Sequence, residues 1–211
     1  MNDLNFSGTF SLVVYCAETK RLGVAVASGS KSVGKRVPHV KPGVGAVATQ
    51  AYTRIVYGRK GLELMSRGLK PKQVLKRLLK NDPESNLRQV AMIDIKGRTS
   101  TFTGKDAPEW KGVIQGEGYI AIGNLLSGEE VLRALVKGFI QSKEKLAIRM
   151  ANALEMASLI GGDRRGERSA ALLLAEPDNI EVKLMVDEDK SPISKLIEKL
   201  QDTYNCVRTY T

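Results

Sequence analysis

Gly43-Val44-Gly45-Ala46-Val47-Ala48-Thr49-Gln50-Ala51, GVGAVATQA, is the stretch on which the reading of this chain turns. Large and small residues alternate along it, the period of a β-strand, so branched side chains fall on one face and Gly or Ala on the other. The large face suits a core. The small face lets another layer, or a ligand, come close to the backbone. Leu22-Gly23-Val24-Ala25-Val26-Ala27 alternates in the same way. Upstream, SGTFSLVVY (residues 7–15) runs from a Gly8-Thr9 junction straight into an apolar, β-branched strand.

Working outward, the pattern predicts strands over 9–16, 22–28 and 44–50, the first two joined by the polar stretch 17–21. Helices follow over 57–67, ending at Gly68, and from Pro71, where Val74, Leu75, Leu78 and Leu79 form one stripe closed by Asn81-Asp82-Pro83. Strands return over 88–95, 98–103 and 119–122. Ser127-Gly128-Glu129-Glu130 reads as a capping box opening a third helix, and a fourth over 146–160 stops at Gly161-Gly162. Strands over 169–175 and 180–186 and a last helix after Ser191-Pro192 complete the order. Helices come in pairs between blocks of strands, which argues against a βαβ doubly wound sheet. Two mainly antiparallel sheets packed together, with helices outside each, fit better.

Composition narrows the function. No apolar run approaches the ~20 residues of a membrane span, and MNDLNFSG lacks the basic and apolar regions of a secretory signal. With one His and two scattered cysteines, Cys16 and Cys206, the expectation is a reduced cytoplasmic protein without metal or other cofactor. Net charge is +10, from 33 Lys and Arg against 23 Asp and Glu. The basic residues are dispersed and aromatics are only 5%, so the charge reads as a solvated surface, suited also to a thermophile, rather than as a nucleic-acid site. Salt-dependent binding to a generic duplex would reopen that class.

The motifs TFSLVV, LGVAVASGS, VGKRVPHVKPGVGAVATQAY, YGRKGLELMSRG, RQVAMID, GRTSTFTG and IGGDRRGERSAALLL span residues 9 to about 175. In this set and order the chain resembles the Ntn-hydrolase superfamily, whose fold is also that of proteasome subunits. More closely it resembles an uncharacterised family catalogued as a domain of unknown function (number one thousand and twenty-eight). The resemblance implies an α+β fold, a four-layer α-β-β-α sandwich, with residues 1–8 a leader that is removed and residues 9–211 one domain. It also implies a homo-oligomer.

Ntn hydrolases use an N-terminal Thr, Ser or Cys as nucleophile and its own α-amine, of pKa ~7.7–8.0, as base. By resemblance the nucleophile is Thr9, freed by cleavage after Gly8; otherwise Thr9 simply starts a strand. Resemblance likewise places Asp163 and Ser169 beside it, in the polar connection GGDRRGERS (residues 161–169). Arg164 and Arg165 there could clamp an anionic substrate bidentately. Glu167-Arg168 departs from the family's usual pair, in which a Gln commonly precedes the Ser, and this departure counts against Arg168 as a ligand contact. Backbone N–H groups of Thr49, Gln50 and Ala51 could form an oxyanion hole. His39, between Pro38 and Val40, reads as a packed side chain. The expected activity is hydrolysis of a small anionic amide or peptide-like substrate. The competing expectation is a catalytically silent scaffold of the same fold, using residues 163–168 to bind.

Overall fold

The computed structural model describes residues 8–208, with side chains to residue 205; residues 1–7 of the expected leader, and the Cys206 side chain, lie outside the described residues. A six-stranded sheet has the order β10-β9-β2-β1-β8-β7 and a four-stranded sheet the order β3-β4-β5-β6. The strands are β1 (Thr9–Tyr15), β2 (Leu22–Ser28), β3 (Pro38–Lys41), β4 (Gly45–Ala51), β5 (Arg88–Asp94), β6 (Thr99–Thr103), β7 (Gly112–Gly116), β8 (Tyr119–Asn124), β9 (Ser169–Ala175) and β10 (Ile180–Val186). Every pairing between them is antiparallel.

The helices α1 (Val56–Ser66) and α2 (Pro71–Lys80) cover the smaller sheet, packing Tyr57, Leu62, Met65, Val74 and Leu78 on Val47, Val90 and Met92. The larger sheet is covered by α3 (Glu130–Gln141), α4 (Leu146–Leu159) and α5 (Pro192–Arg208), through Leu132, Leu135, Met150, Leu154 and Leu196. Between the sheets lie Val13, Leu22, Val24, Val26, Ile120 and Ile122 from one, and Ala46, Ala48, Ala91 and Ile93 from the other. This is the expected four-layer α-β-β-α sandwich of antiparallel sheets.

Alternation sets the layers, but the two motifs that revealed it are turned oppositely. In β2 the branched Leu22, Val24 and Val26 face the other sheet, and Gly23, Ala25 and Ala27 admit α4. In β4 the small Ala46 and Ala48 face the other sheet, and Val47 meets the helices. Large residues of one sheet thus fill the space left by small residues of its partner.

Two strands escape the sequence pattern, β3 and β7, and both are edge strands. Pro38 opens β3, a placement an edge tolerates because one side of the ladder needs no donor. Glycines bound β7, which packs only a few apolar side chains. The capping box is also corrected: α3 starts at Glu130 behind Glu129 with no side-chain cap bond. Ser127 instead donates its backbone N–H to the Gly162 carbonyl at 3.1 Å, pinning the helix start to the loop before β9.

Candidate functional site

At one end of the sandwich the inward-facing positions change from apolar to polar. Register makes them converge: Ser169 of β9 lies opposite Ser28 of β2, Ser28 opposite Thr9 of β1, and Thr9 opposite Asn124 of β8. The facing sheet contributes Gln50 and Gln89, partners across β4 and β5. All six are buried. Burying polar groups costs free energy unless each is hydrogen-bonded, so this end is held by its bonds while the apolar remainder supplies the cohesion.

The Gln50 amide donates to the Thr9 carbonyl at 3.1 Å and to Gln89 Oε1 at 2.8 Å, and Gln50 Oε1 accepts from the Ser11 hydroxyl at 2.6 Å. Gln89 in turn donates to the Gly123 carbonyl at 2.9 Å and accepts from Asn124 Nδ2 at 3.1 Å. The two sheets are therefore bolted together at Thr9. Two residues just beyond this row, Ala51 (φ 64°) and Leu125 (φ 52°), take the left-handed conformation, backbone strain of the kind that gathers at functional sites.

The Gly8–Thr9 peptide sits at the centre. The Gly8 carbonyl oxygen accepts from the Thr9 hydroxyl at 2.7 Å and from the Ser28 hydroxyl at 2.5 Å, and the two hydroxyls are 3.1 Å apart. Thr9 is 1% exposed. Asp163 packs against Gly8 from the other side: a methyl group added there would come within 2.6 Å of Asp163 Oδ1. Gly29 is under the same restriction, with a Cβ 2.7 Å from Asp163 Oδ2 and 2.9 Å from Arg165 Nη2. Only glycine leaves the room through which the Gly29 N–H donates to Asp163 Oδ2 at 2.6 Å.

The structure brings Thr9 and Asp163 to one place and gives the other expected site residues different tasks. Arg165 wraps the Asp163 carboxylate, with Nε 3.2 Å from Oδ1 and Nη2 3.1 Å from Oδ2, while its own backbone N–H donates to Oδ1 at 3.0 Å. Arg164 is exposed and reaches the Leu126 carbonyl at 3.3 Å. Ser169 stands in the polar row, but its hydroxyl donates to the Ser30 carbonyl at 2.5 Å and accepts from the Val33 N–H at 3.1 Å, shaping the loop after β2. The Thr49 N–H is taken by the Val37 carbonyl at 3.1 Å and its hydroxyl by the Arg54 carbonyl at 3.3 Å. With Gln50 turned inward and Ala51 3% exposed, this segment holds Thr9 in place rather than presenting open donors.

Sequence reasoning missed Ser28, Gln89 and Asn124. Their signal was present: each is a polar residue in phase with the inward-facing positions of an otherwise apolar strand. Next to Ser28, Ser30 Oγ is 3.0 Å from Ser28 Oγ and accepts from Arg36 Nη2 at 2.7 Å. His39 is packed as expected, its Nε2 3.1 Å from the Arg36 carbonyl. Burial pushes its pKa down, outweighing that hydrogen bond. Among the described residues no group of three or more His, Cys, Asp or Glu side chains gathers to hold a metal, and no helix is long and apolar enough to cross a membrane.

Comparison with known proteins fits this picture. The crystal structure of protein SPO2555 from Silicibacter pomeroyi, assigned to DUF1028, matches with a TM-score of 0.87 and 31% identity over 92% of this chain and 85% of that one. Anbu (ancestral beta-subunit) from Yersinia bercovieri gives a TM-score of 0.45 at 12% identity over 96% of this chain and 97% of that one, a likeness too distant to carry function. Among curated proteins none matches significantly. The model of a family described as "Family of unknown function (DUF1028)" matches residues 9–196, and the chain belongs to that family.

Proposed function

We propose that this protein is an Ntn-type hydrolase of a small anionic amide, with Thr9 as nucleophile once residues 1–8 are removed. The observation that carries this reading is the Gly8 carbonyl, held between the Thr9 and Ser28 hydroxyls with the Asp163 carboxylate packed against the Gly8 backbone. Attack of Thr9 Oγ on the Gly8 carbonyl carbon would move negative charge onto the carbonyl oxygen, where Ser28 already donates. Collapse breaks the C–N bond, the Thr9 nitrogen takes the hydroxyl proton, and the acyl group passes to Oγ as an ester. Water then releases residues 1–8 as a carboxylate and leaves a free α-amine. On substrate, that amine takes the Oγ proton as Oγ attacks the amide carbonyl. It returns the proton to the departing amine, and water hydrolyses the acyl-enzyme. Asn124 Oδ1, on the residue opposite Thr9 in the register, is buried without a hydrogen-bond partner among the described residues, a spare acceptor on the neighbouring strand. Assembly into a homo-oligomer in the cytoplasm belongs to the same proposal.

One observation favours the silent-scaffold reading instead: in the uncut chain Thr9 is 1% exposed and its nitrogen is an amide, which cannot act as a base at neutral pH. Intact-mass measurement on protein from its native host separates the two. Loss of residues 1–8, blocked in Thr9→Ala, supports the hydrolase. Folded, assembled native protein that retains Met1 or Asn2 removes it.

A further inference from the structure

The cations around the site are nearly all neutralised. Arg165 is held by Asp163, Arg168 and Lys31 by Glu188, and Lys35 by Asp187. Elsewhere Arg21 pairs with Glu176 and Glu181, Arg88 with Asp82 and Glu84, and Arg98 with Asp94. Arg36 differs: it is half-buried and forms no ion pair among the described residues. Its guanidinium uses Nη2 twice, on Ser30 Oγ at 2.7 Å and on the Lys31 carbonyl at 2.9 Å. The donors on Nε and Nη1 meet no acceptor among the described residues. Burial alone lowers its pKa, with no neighbouring carboxylate to oppose the shift. A half-desolvated cation without a counter-ion is an unfavourable arrangement that a bound anion would relieve.

Position gives the arrangement its meaning. From Arg36 Nη2 the donors run through Ser30 Oγ to Ser28 Oγ at 3.0 Å, and Ser28 Oγ lies 3.1 Å from Thr9 Oγ1. The guanidinium is thus no more than three hydrogen-bond lengths, roughly 9 Å, from the nucleophile. Ser30 and Arg36 are partly exposed in the uncut chain, unlike Thr9.

We propose that Arg36, backed by Ser30, is the binding site for a carboxylate, and that the substrate carries this group within about 14 Å of its scissile carbonyl, the path to Nη2 extended by the guanidinium and one more hydrogen bond. A carboxylate can take one charge-assisted hydrogen bond from either unused donor, Nε or Nη1, and meets the full positive charge of the guanidinium there. Arg164 and Arg165 are thereby relieved of the anion-clamping role expected for them. Calling the bound molecule a substrate rests on the hydrolase reading; the anion site itself does not.

Calorimetric titration of the full chain with glutarate tests this directly, with inorganic phosphate as a comparison. Arg36→Gln should weaken glutarate binding about tenfold or more, the loss of one charge-assisted contact. Arg36→Lys should recover part of it, while Arg164→Gln should bind as the parent does. Thermal melts without ligand identify any variant that fails to fold, and Ser30→Ala, expected to weaken binding less than Arg36→Gln, then serves in its place. Glutarate binding that is absent, indifferent to Arg36, lost in Arg164→Gln instead, or weaker than that of phosphate overturns the proposal. If native protein keeps its leader yet glutarate binds through Arg36, the hydrolase reading falls and the anion site stands; a removed leader with Arg36-independent binding gives the reverse.

Discussion

Replacing Asp163 by Asn changes one atom in shape but removes the charge on which four donors converge. The side chain is 0% exposed, so solvent cannot take over as acceptor. With Nδ2 in the Oδ2 position, an N–H group faces the Gly29 N–H, now 2.6 Å from oxygen, and a buried backbone donor is orphaned. Flipped, Nδ2 faces the Arg165 N–H and Nε, at 3.0 and 3.2 Å in the parent. The flipped form is cheaper because Arg165, with its side chain 41% exposed, can turn to water. What remains is one unmade backbone hydrogen bond and a weakened pair of charge-assisted contacts. Each is worth about 1–3 kcal/mol in isolation, and solvent screening of Arg165 reduces the second, so the expected loss is about 2–3 kcal/mol. In a domain of this size that lowers Tm by about 4–12 °C. Urea unfolding followed by circular dichroism should show a lower midpoint at unchanged slope. An unfolding free energy within ~0.5 kcal/mol of the parent would refute the view that the Asp163 carboxylate is a buried acceptor on which these donors depend. On the proposed chemistry the same variant, refolded and assembled, should also process its leader more slowly than the parent.

Acid should expose a second buried carboxylate. Burial pushes Asp82 up, but hydrogen bonds from Arg88 and Tyr57 outweigh it and hold the group down, from 3.8 to about 2. The unfolded chain therefore binds the proton first, so stability present above pH ~4 is lost as pH falls toward 2. Asp82→Asn should be less stable at pH 7 by about 3 kcal/mol, the low end for breaking a buried pair because Arg88 keeps Glu84 at 2.7 Å, and should show less of this acid dependence. Parallel pH profiles for parent and variant would contradict the assignment. Gly58 of α1 faces the His39 ring, and an added Cβ would sit 2.5 Å from Nε2. Overpacking of about 1–3 kcal/mol should exceed the ~1 kcal/mol helix gain, so Gly58→Ala destabilises and a second change, His39→Ala, relieves it. Chemical denaturation of the single and double variants measures this, and a Gly58→Ala protein as stable as its parent rules the contact out.

Local patterning by itself determined much of this protein. Alternation in Leu22–Ser28 and Gly45–Ala51, and the apolar stripe of Pro71–Lys80, act within a few residues, so they located the strands, the helices and the two-sheet architecture. Family resemblance singled out Thr9 and Asp163, residues that the tertiary structure brings to either side of Gly8. Tertiary structure alone decided which face of each strand turned inward, since Val47 and Val26 are equally apolar and pack into different layers. It also decided the edge strands, whose few buried side chains leave little pattern to read. The polar row of Ser169, Ser28, Thr9 and Asn124 exists only through strand register, a property of pairs of segments up to 141 residues apart rather than of any one segment. The arginines make the same point. In sequence Arg164, Arg165 and Arg36 differ only in their neighbours; folding set a carboxylate against Arg165, left Arg164 in solvent, and placed Arg36 half-buried with no acid beside it, because charge compensation depends on what the fold brings within ~4 Å.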